Sequence, residues 1–166
     1  MFSELYWISE PTPGKLALMA RPRAGDWLED EIAHWRTSGV NTVVSLLETE
    51  EVSDLGLQRE RALCEQHGIA FLSFPIADRG VPASMREAKG LAETLLGRIA
   101  KGQAVAIHCR AGIGRSSIIA GSALVLDGMS ANDALAAIGT ARRTPVPDTE
   151  AQRVWLADFG TMVAGG

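Results

Sequence analysis

At 166 residues, with 46% hydrophobic and 22% charged residues, the chain has the composition of one folded domain and not that of a disordered or fibrous segment. A chain of this length buries roughly 70% of the surface it exposes when unfolded, so its core requires neither disulfides nor structural metal, and the two cysteines are free for other uses. Its 16 basic against 20 acidic residues give a net charge of -4, which excludes a broad basic footprint for nucleic acid or an anionic membrane and makes any anion binding local.

The first seven residues carry Glu4 and neither Lys nor Arg, unlike a secretory signal. Residues 15–20 form a short apolar strand candidate, after which Asp26, with Glu29 three residues on, predicts a capped helix whose Leu28, Ile32 and Trp35 share one face and which Gly39 ends. A buried strand is predicted over 40–46, a helix over 57–67 stopped by Gly68, and another strand over 69–74, followed by a loop over 75–82. Ser84 with Glu87 opens a helix that runs to about Lys101, with Leu91, Leu95 and Ile99 as its buried stripe and Gly102 closing it. A short strand over 104–108, a glycine-containing turn over 109–115 and an apolar helix over 116–126 come next. Two more helices follow, one capped by Ser130 and one by Thr149 with Gln152 at its third position. Such alternation predicts an α/β fold, a central, mostly parallel sheet flanked by helices on both faces, with any ligand at the carboxyl ends of the strands. No repeat or linker divides the chain, so residues 1–166 read as one domain. The longest run without Asp, Glu, Lys or Arg, residues 66–77, falls short of the roughly 20 apolar residues of a membrane span. The sequence thus predicts a soluble, cytoplasmic protein with reduced thiols, and no feature of it sets an oligomeric state.

Chemistry concentrates in Val105-Ala106-Ile107-His108-Cys109-Arg110-Ala111-Gly112-Ile113-Gly114-Arg115-Ser116, a strand, a tight loop and a helix start. Gly112 and Gly114 allow backbone angles that turn successive N–H groups of residues 110–115 inward as a nest for an anion, with the positive end of the next helix aimed at the same spot. Arg115 can offer its planar fork to two oxygens of a tetrahedral oxyanion, which suits a phosphate better than a carboxylate. In that field Cys109 is favoured as thiolate, a nucleophile beneath the bound anion. The Ser116 hydroxyl can hydrogen-bond the sulfur and ease its departure once phosphorylated, and His108 can orient the loop through its ring nitrogens without serving as proton donor. The bland alternative is a turn that happens to hold a buried cysteine.

His108-Cys109-x5-Arg115-Ser116 resembles the signature of the cysteine-dependent protein tyrosine phosphatases, and the short chain is similar to their dual-specificity branch. Residues 74–82 (FPIADRGVP) are similar to the general-acid loop of kinase-associated phosphatases and their bacterial relatives, and Thr149-Glu150-Ala151-Gln152 to the segment in which a Gln positions hydrolytic water. The resemblance implies a phosphatase-like fold, Cys109 as nucleophile, Arg115 as phosphate clamp, Asp78 as general acid and Gln152 as water-positioning residue, with no metal and no cofactor. Expected substrates are phosphorylated proteins or small phosphate esters, phosphotyrosine first and phosphoserine or phosphothreonine next, with phosphoinositides or nucleotides as the alternative. From the residues alone Asp78 reads first as a turn former, and Gln152 equally as half of a capping box with Thr149. Cys64 reads as a small buried hydrophobe, although the resemblance also suggests it as a redox partner for Cys109.

The chain lacks the Trp that tyrosine-only enzymes carry at the general-acid loop, and the Lys pair that phosphoinositide phosphatases often carry is replaced by Arg110 and Ile113. Arg79 and Arg110 can widen the positive field at the pocket mouth, while Arg142 and Arg143 are expected to solvate a helix end. His34 and His67 have no ligand-spaced partners, and Trp7, Trp27, Trp35 and Trp155 read as core or core-edge residues. Two rivals belong to other classes: a rhodanese-like sulfur transferase and a phosphate-binding module without turnover. A candidate acid and the Ser after Arg115 favour ester hydrolysis over both.

Overall fold

A computed structural model describes residues 2–9 and 13–165. Five strands form one sheet in the order β1-β2-β5-β3-β4, comprising β1 (Tyr6–Ile8), β2 (Lys15–Met19), β3 (Thr42–Ser45), β4 (Ala70–Ser73) and β5 (Ala104–His108). β1 runs antiparallel to β2, and the other four strands are mutually parallel. β5 is central, and its last residue, His108, is in register with Met19 of β2 and Ser45 of β3. The chain therefore leaves β5 between two other strand ends, the crevice where parallel sheets present their loops to ligands.

Side-chain alternation along the strands divides the core into two layers. Leu16, Leu18, Val44, Val105 and Ile107 face α4 (Met85–Ala100), α5 (Gly114–Leu126), α6 (Ala131–Arg142) and α7 (Glu150–Gly165). Ala17, Met19, Val43 and Ala106 face the other way, onto Ile32 and Trp35 of α1 (Leu28–Thr37) and Leu63 and Cys64 of α3 (Glu60–Gln66). Both faces are covered, and every residue of β3 and β5 is buried. Every residue from Gly114 to Val125 is buried, and α5 packs against α4, α6 and α7. That explains why α5 is apolar all round while its neighbours are striped.

Several local expectations change. Asp26 does not cap α1: residues 25–27 form a 3₁₀ turn that leads straight into the helix, whose first residue follows Trp27 without a side-chain cap. The helix predicted over 57–67 is shorter, and a separate helix α2 (Thr49–Asp54) precedes it. α2 is closed by a reciprocal box between Glu48 and Glu51 in place of the usual Ser or Thr. The antiparallel strand β1 was not expected, since three residues are too few to display a period. Ser84 and Ser130 do cap their helices, accepting from the amides of Glu87 and Asp133 at 3.1 Å each. Trp35 and Trp155 are buried, but Trp27 is exposed, with the Arg23 guanidinium 4.5 Å from its ring centre.

Candidate active site

The 109–115 loop joins the end of β5 to the start of α5 and wraps the base of a small cavity of about 50 Å³. Cys109, Arg110, Ala111, Gly114, Arg115, Asp78, Arg79 and Asp148 line it. Four consecutive loop carbonyls are held from outside: Cys109 by His108 Nδ1 at 3.2 Å, Arg110 by the Arg21 amide at 3.0 Å, Ala111 by Arg142 Nη2 at 3.1 Å and Gly112 by Arg142 Nε at 3.0 Å. A trans peptide unit points its N–H opposite its C=O, so these bonds aim the next residue's N–H away from each restraint. Gly112 alone in the loop takes a positive φ, +75°, and a Cβ there would collide with the backbone of Met19 at the end of β2. Gly114 plays a different part from that expected of it: it is the first residue of α5 and needs no special angle, but a Cβ on it would come within 3.0 Å of Asp148 and Gln152.

Cys109 is 3% exposed, and the Ser116 hydroxyl donates to its sulfur at 3.1 Å. Arg115 is buried, and both of its terminal nitrogens are engaged. Nη1 donates to Glu51 at 2.7 Å and to the Ile76 carbonyl at 2.9 Å, while Nη2 donates to the other Glu51 oxygen at 3.0 Å and to Asp78 at 3.2 Å. Arg110 Nε adds a third cationic contact to Glu51 at 3.0 Å. Burial alone would push the Glu51 carboxyl up, but the Arg115 hydrogen bonds, the Glu48 amide, the charge of Arg115 and the Arg110 contact outweigh it and bring it from 4.5 to about 2. Glu51 thus remains a carboxylate that fixes the guanidinium plane. Behind the loop, His108 Nε2 lies 2.6 Å from the buried carboxylate of Glu60, so both ring nitrogens are engaged and the imidazole is locked as expected.

Asp78, exposed at the cavity mouth, shares Arg115 with Glu51. The next residue, Arg79, holds a left-handed φ of 61° at the tip of the same loop. Gln152 forms the capping box and also reaches the Asp78 loop. Its amide N–H bonds Thr149 Oγ1 at 3.1 Å and its Oε1 accepts from the Thr149 and Asp148 amides, completing the box, while its Nε2 donates to the Gly80 carbonyl of the Asp78 loop at 3.0 Å. Cys64 sits apart. It belongs to the layer under α3, Cys109 belongs to the layer on the opposite face of the sheet, and both thiols are free. Burial pushes the Cys64 thiol well up, with the charges of Glu60 and Glu65 adding to it.

Arg142 does not serve as a solvated helix end, whereas Arg143 stays exposed at that end. Arg142 grips the loop carbonyls and stacks on Tyr6 with its guanidinium carbon 4.0 Å from the ring centre; Arg143 adopts φ 60° as the cap of α6 and pairs with Glu4 at 2.8 Å. Glu51, Glu60, Arg142 and Asp148 are site residues that no motif in the sequence had marked.

A buried, serine-contacted thiol at the floor of an amide-lined loop, with an arginine fork and an exposed carboxylate above it, defines a cysteine-dependent phosphatase. Residues 17–129 match the family model described as "Polymorphic toxin system, DSP-PTPase phosphatase", and the chain belongs to that dual-specificity phosphatase family. Among the curated proteins none matches this sequence. Solved structures agree on the fold. Kinase associated phosphatase carrying a serine in place of its catalytic-site cysteine is 21% identical, with a TM-score of 0.88 over 100% of this chain and 98% of its own. Tk-PTP in the active form is 26% identical, with a TM-score of 0.75 over 90% of this chain and 93% of its own. PTPMT1 in complex with PI(5)P is 22% identical, with a TM-score of 0.75 over 90% and 92%. Among the described residues no helix is long and apolar enough to cross a membrane.

Proposed function

We propose that the chain is one catalytic domain that hydrolyses phosphate monoesters on proteins, phosphotyrosine foremost and phosphoserine or phosphothreonine as well, through a phosphocysteine on Cys109. The observation that carries this reading is the convergence of the Cys109 thiol, the Arg115 fork and the Asp78 carboxylate on one small cavity. An incoming dianion takes the place of Asp78 on Arg115 Nη2, which frees the carboxyl to serve as general acid. The sulfur then attacks phosphorus, the ester P–O bond breaks, and the leaving oxygen takes the Asp78 proton. In the second step Asp78 removes a proton from water, hydroxide attacks phosphorus, and the P–S bond breaks to return a thiolate held by the Ser116 hydroxyl. Gln152 orients that water by exchanging its bond to the Gly80 carbonyl. The nest amides and Arg115 stabilise the three equatorial oxygens throughout.

Protein substrates are favoured over polyanionic lipids because the cavity rim is mixed in sign: Arg79 and Arg110 stand beside Asp78 and Asp148, and Arg110 is already paired to Glu51. The test compares kcat/KM on phosphotyrosyl, phosphoseryl and phosphothreonyl peptides, short-chain phosphoinositides and nucleoside phosphates, with chelator present. Phosphopeptides are expected to lead by at least about tenfold, the discrimination that one good polar contact supplies. A lead of that size for phosphoinositides or nucleotides would replace the protein-substrate assignment.

A further inference from the structure

We infer that Arg142 is a positioning residue of the phosphate loop, one that holds the loop in its anion-binding form from the opposite side. This rests on the phosphatase reading above. Of the four loop carbonyls restrained from outside, Arg142 holds the two at the apex, Ala111 and Gly112. Holding them on the α6 side directs the N–H groups of Gly112 and Ile113 to the cavity side, since each peptide unit is rigid. The apex is where the loop most needs an external hold. Gly112 has the conformational freedom of glycine at a positive φ, and a rotation of either flanking peptide unit would present a carbonyl dipole to the phosphate in place of an N–H.

The side chain is built for the task. It is the last residue of α6, its guanidinium stacks on Tyr6 of β1, and the next residue, Arg143, is tied to Glu4 in the segment leading into that strand. The N-terminal strand and the end of α6 thus brace the fork before any substrate arrives, and the fork's planar donors match two adjacent carbonyls in a way that an ammonium cannot. Arg142 touches the loop and not the cavity, whose lining does not include it. It therefore acts through the amides it orients.

The test measures orthovanadate affinity by isothermal titration, with Tm alongside, for the unsubstituted chain, Arg142→Met and Arg142→Lys. Met keeps an apolar stem over Tyr6, and Lys keeps stem and charge; neither keeps the fork. Both variants are expected to bind vanadate roughly tenfold or more weakly, the loss two charge-assisted hydrogen bonds warrant, with KM for para-nitrophenyl phosphate rising in step and Tm within a few degrees of the parent. If Met destabilises the fold, Lys alone carries the comparison. Parental affinity in Arg142→Lys would mean that Arg142 acts through its charge alone and would overturn the inference, as would parental affinity in Arg142→Met. Failure of the unsubstituted chain to bind vanadate would instead overturn the phosphatase-site reading on which the inference rests.

Discussion

Glu51→Gln is the substitution whose consequences follow most directly from the geometry of the site. The native carboxylate accepts two bonds from Arg115, one from Arg110 and one from the Glu48 amide, and these bring its carboxyl from 4.5 to about 2. A shift of that size corresponds to about 3 kcal/mol of folding stability at neutral pH, because Glu51 is 7% exposed and little screened by solvent. The folded value is depressed, so this contribution is complete above the unfolded value and is lost as pH falls toward 2; by pH 3 about half has gone. Neutral glutamine keeps the shape but not the charge. Urea unfolding curves at pH 7 should therefore show the variant about 3 kcal/mol less stable, equivalent to a Tm lower by about 6–12 °C, with the gap shrinking to about half at pH 3. Turnover should fall on the order of 100-fold, since Arg115 loses the partner that sets its plane. Equal stability at pH 7, or a gap that stays constant down to pH 3, would refute the assignment of Glu51 as the charged anchor of Arg115.

Asp78→Asn should cost far more activity on tyrosyl or alkyl phosphates than on an ester whose leaving group needs little protonation; a uniform loss across leaving groups would indicate a binding role. Gln152→Ala removes both a helix cap and the bond to Gly80, so its Tm should drop by several degrees, and a burst of product with increased phosphoryl transfer to glycerol should accompany the drop. A drop in Tm without the burst would leave Gln152 as a cap alone.

What the sequence disclosed and what it concealed divide along separation in the chain. The nest, the thiol, its Ser116 partner and the Arg115 fork lie within eight residues, and glycine, cysteine and arginine at those spacings have few other reasons to occur together. The parallel sheet was legible because Val43-Val44 in β3 and the four residues 104–107 in β5 are apolar without alternation, a pattern that a strand covered on both faces tolerates. Glu51, Glu60 and Arg142 were not. Each is an ordinary charged residue on a helix, and it becomes part of the site only because the fold brings it across 64, 48 or 30 residues to meet Arg115, His108 or the loop apex. α2 carries no hydrophobic period of its own, so the helix that delivers Glu51 was silent too. Arg142 was misread for a related reason: basic residues commonly end helices, and nothing nearby in sequence signals the two distant carbonyls it serves.

The central claim is that the phosphoryl group passes through the sulfur of Cys109. Acid quenching during turnover of para-nitrophenyl phosphate, followed by mass spectrometry of the digested chain, tests it directly. A phosphoryl adduct on the peptide bearing Cys109 is expected, more abundant in Gln152→Ala and lacking in Cys109→Ser, which should retain vanadate binding but no turnover. An adduct on a different residue, or turnover by Cys109→Ser comparable to that of the parent, would contradict the account.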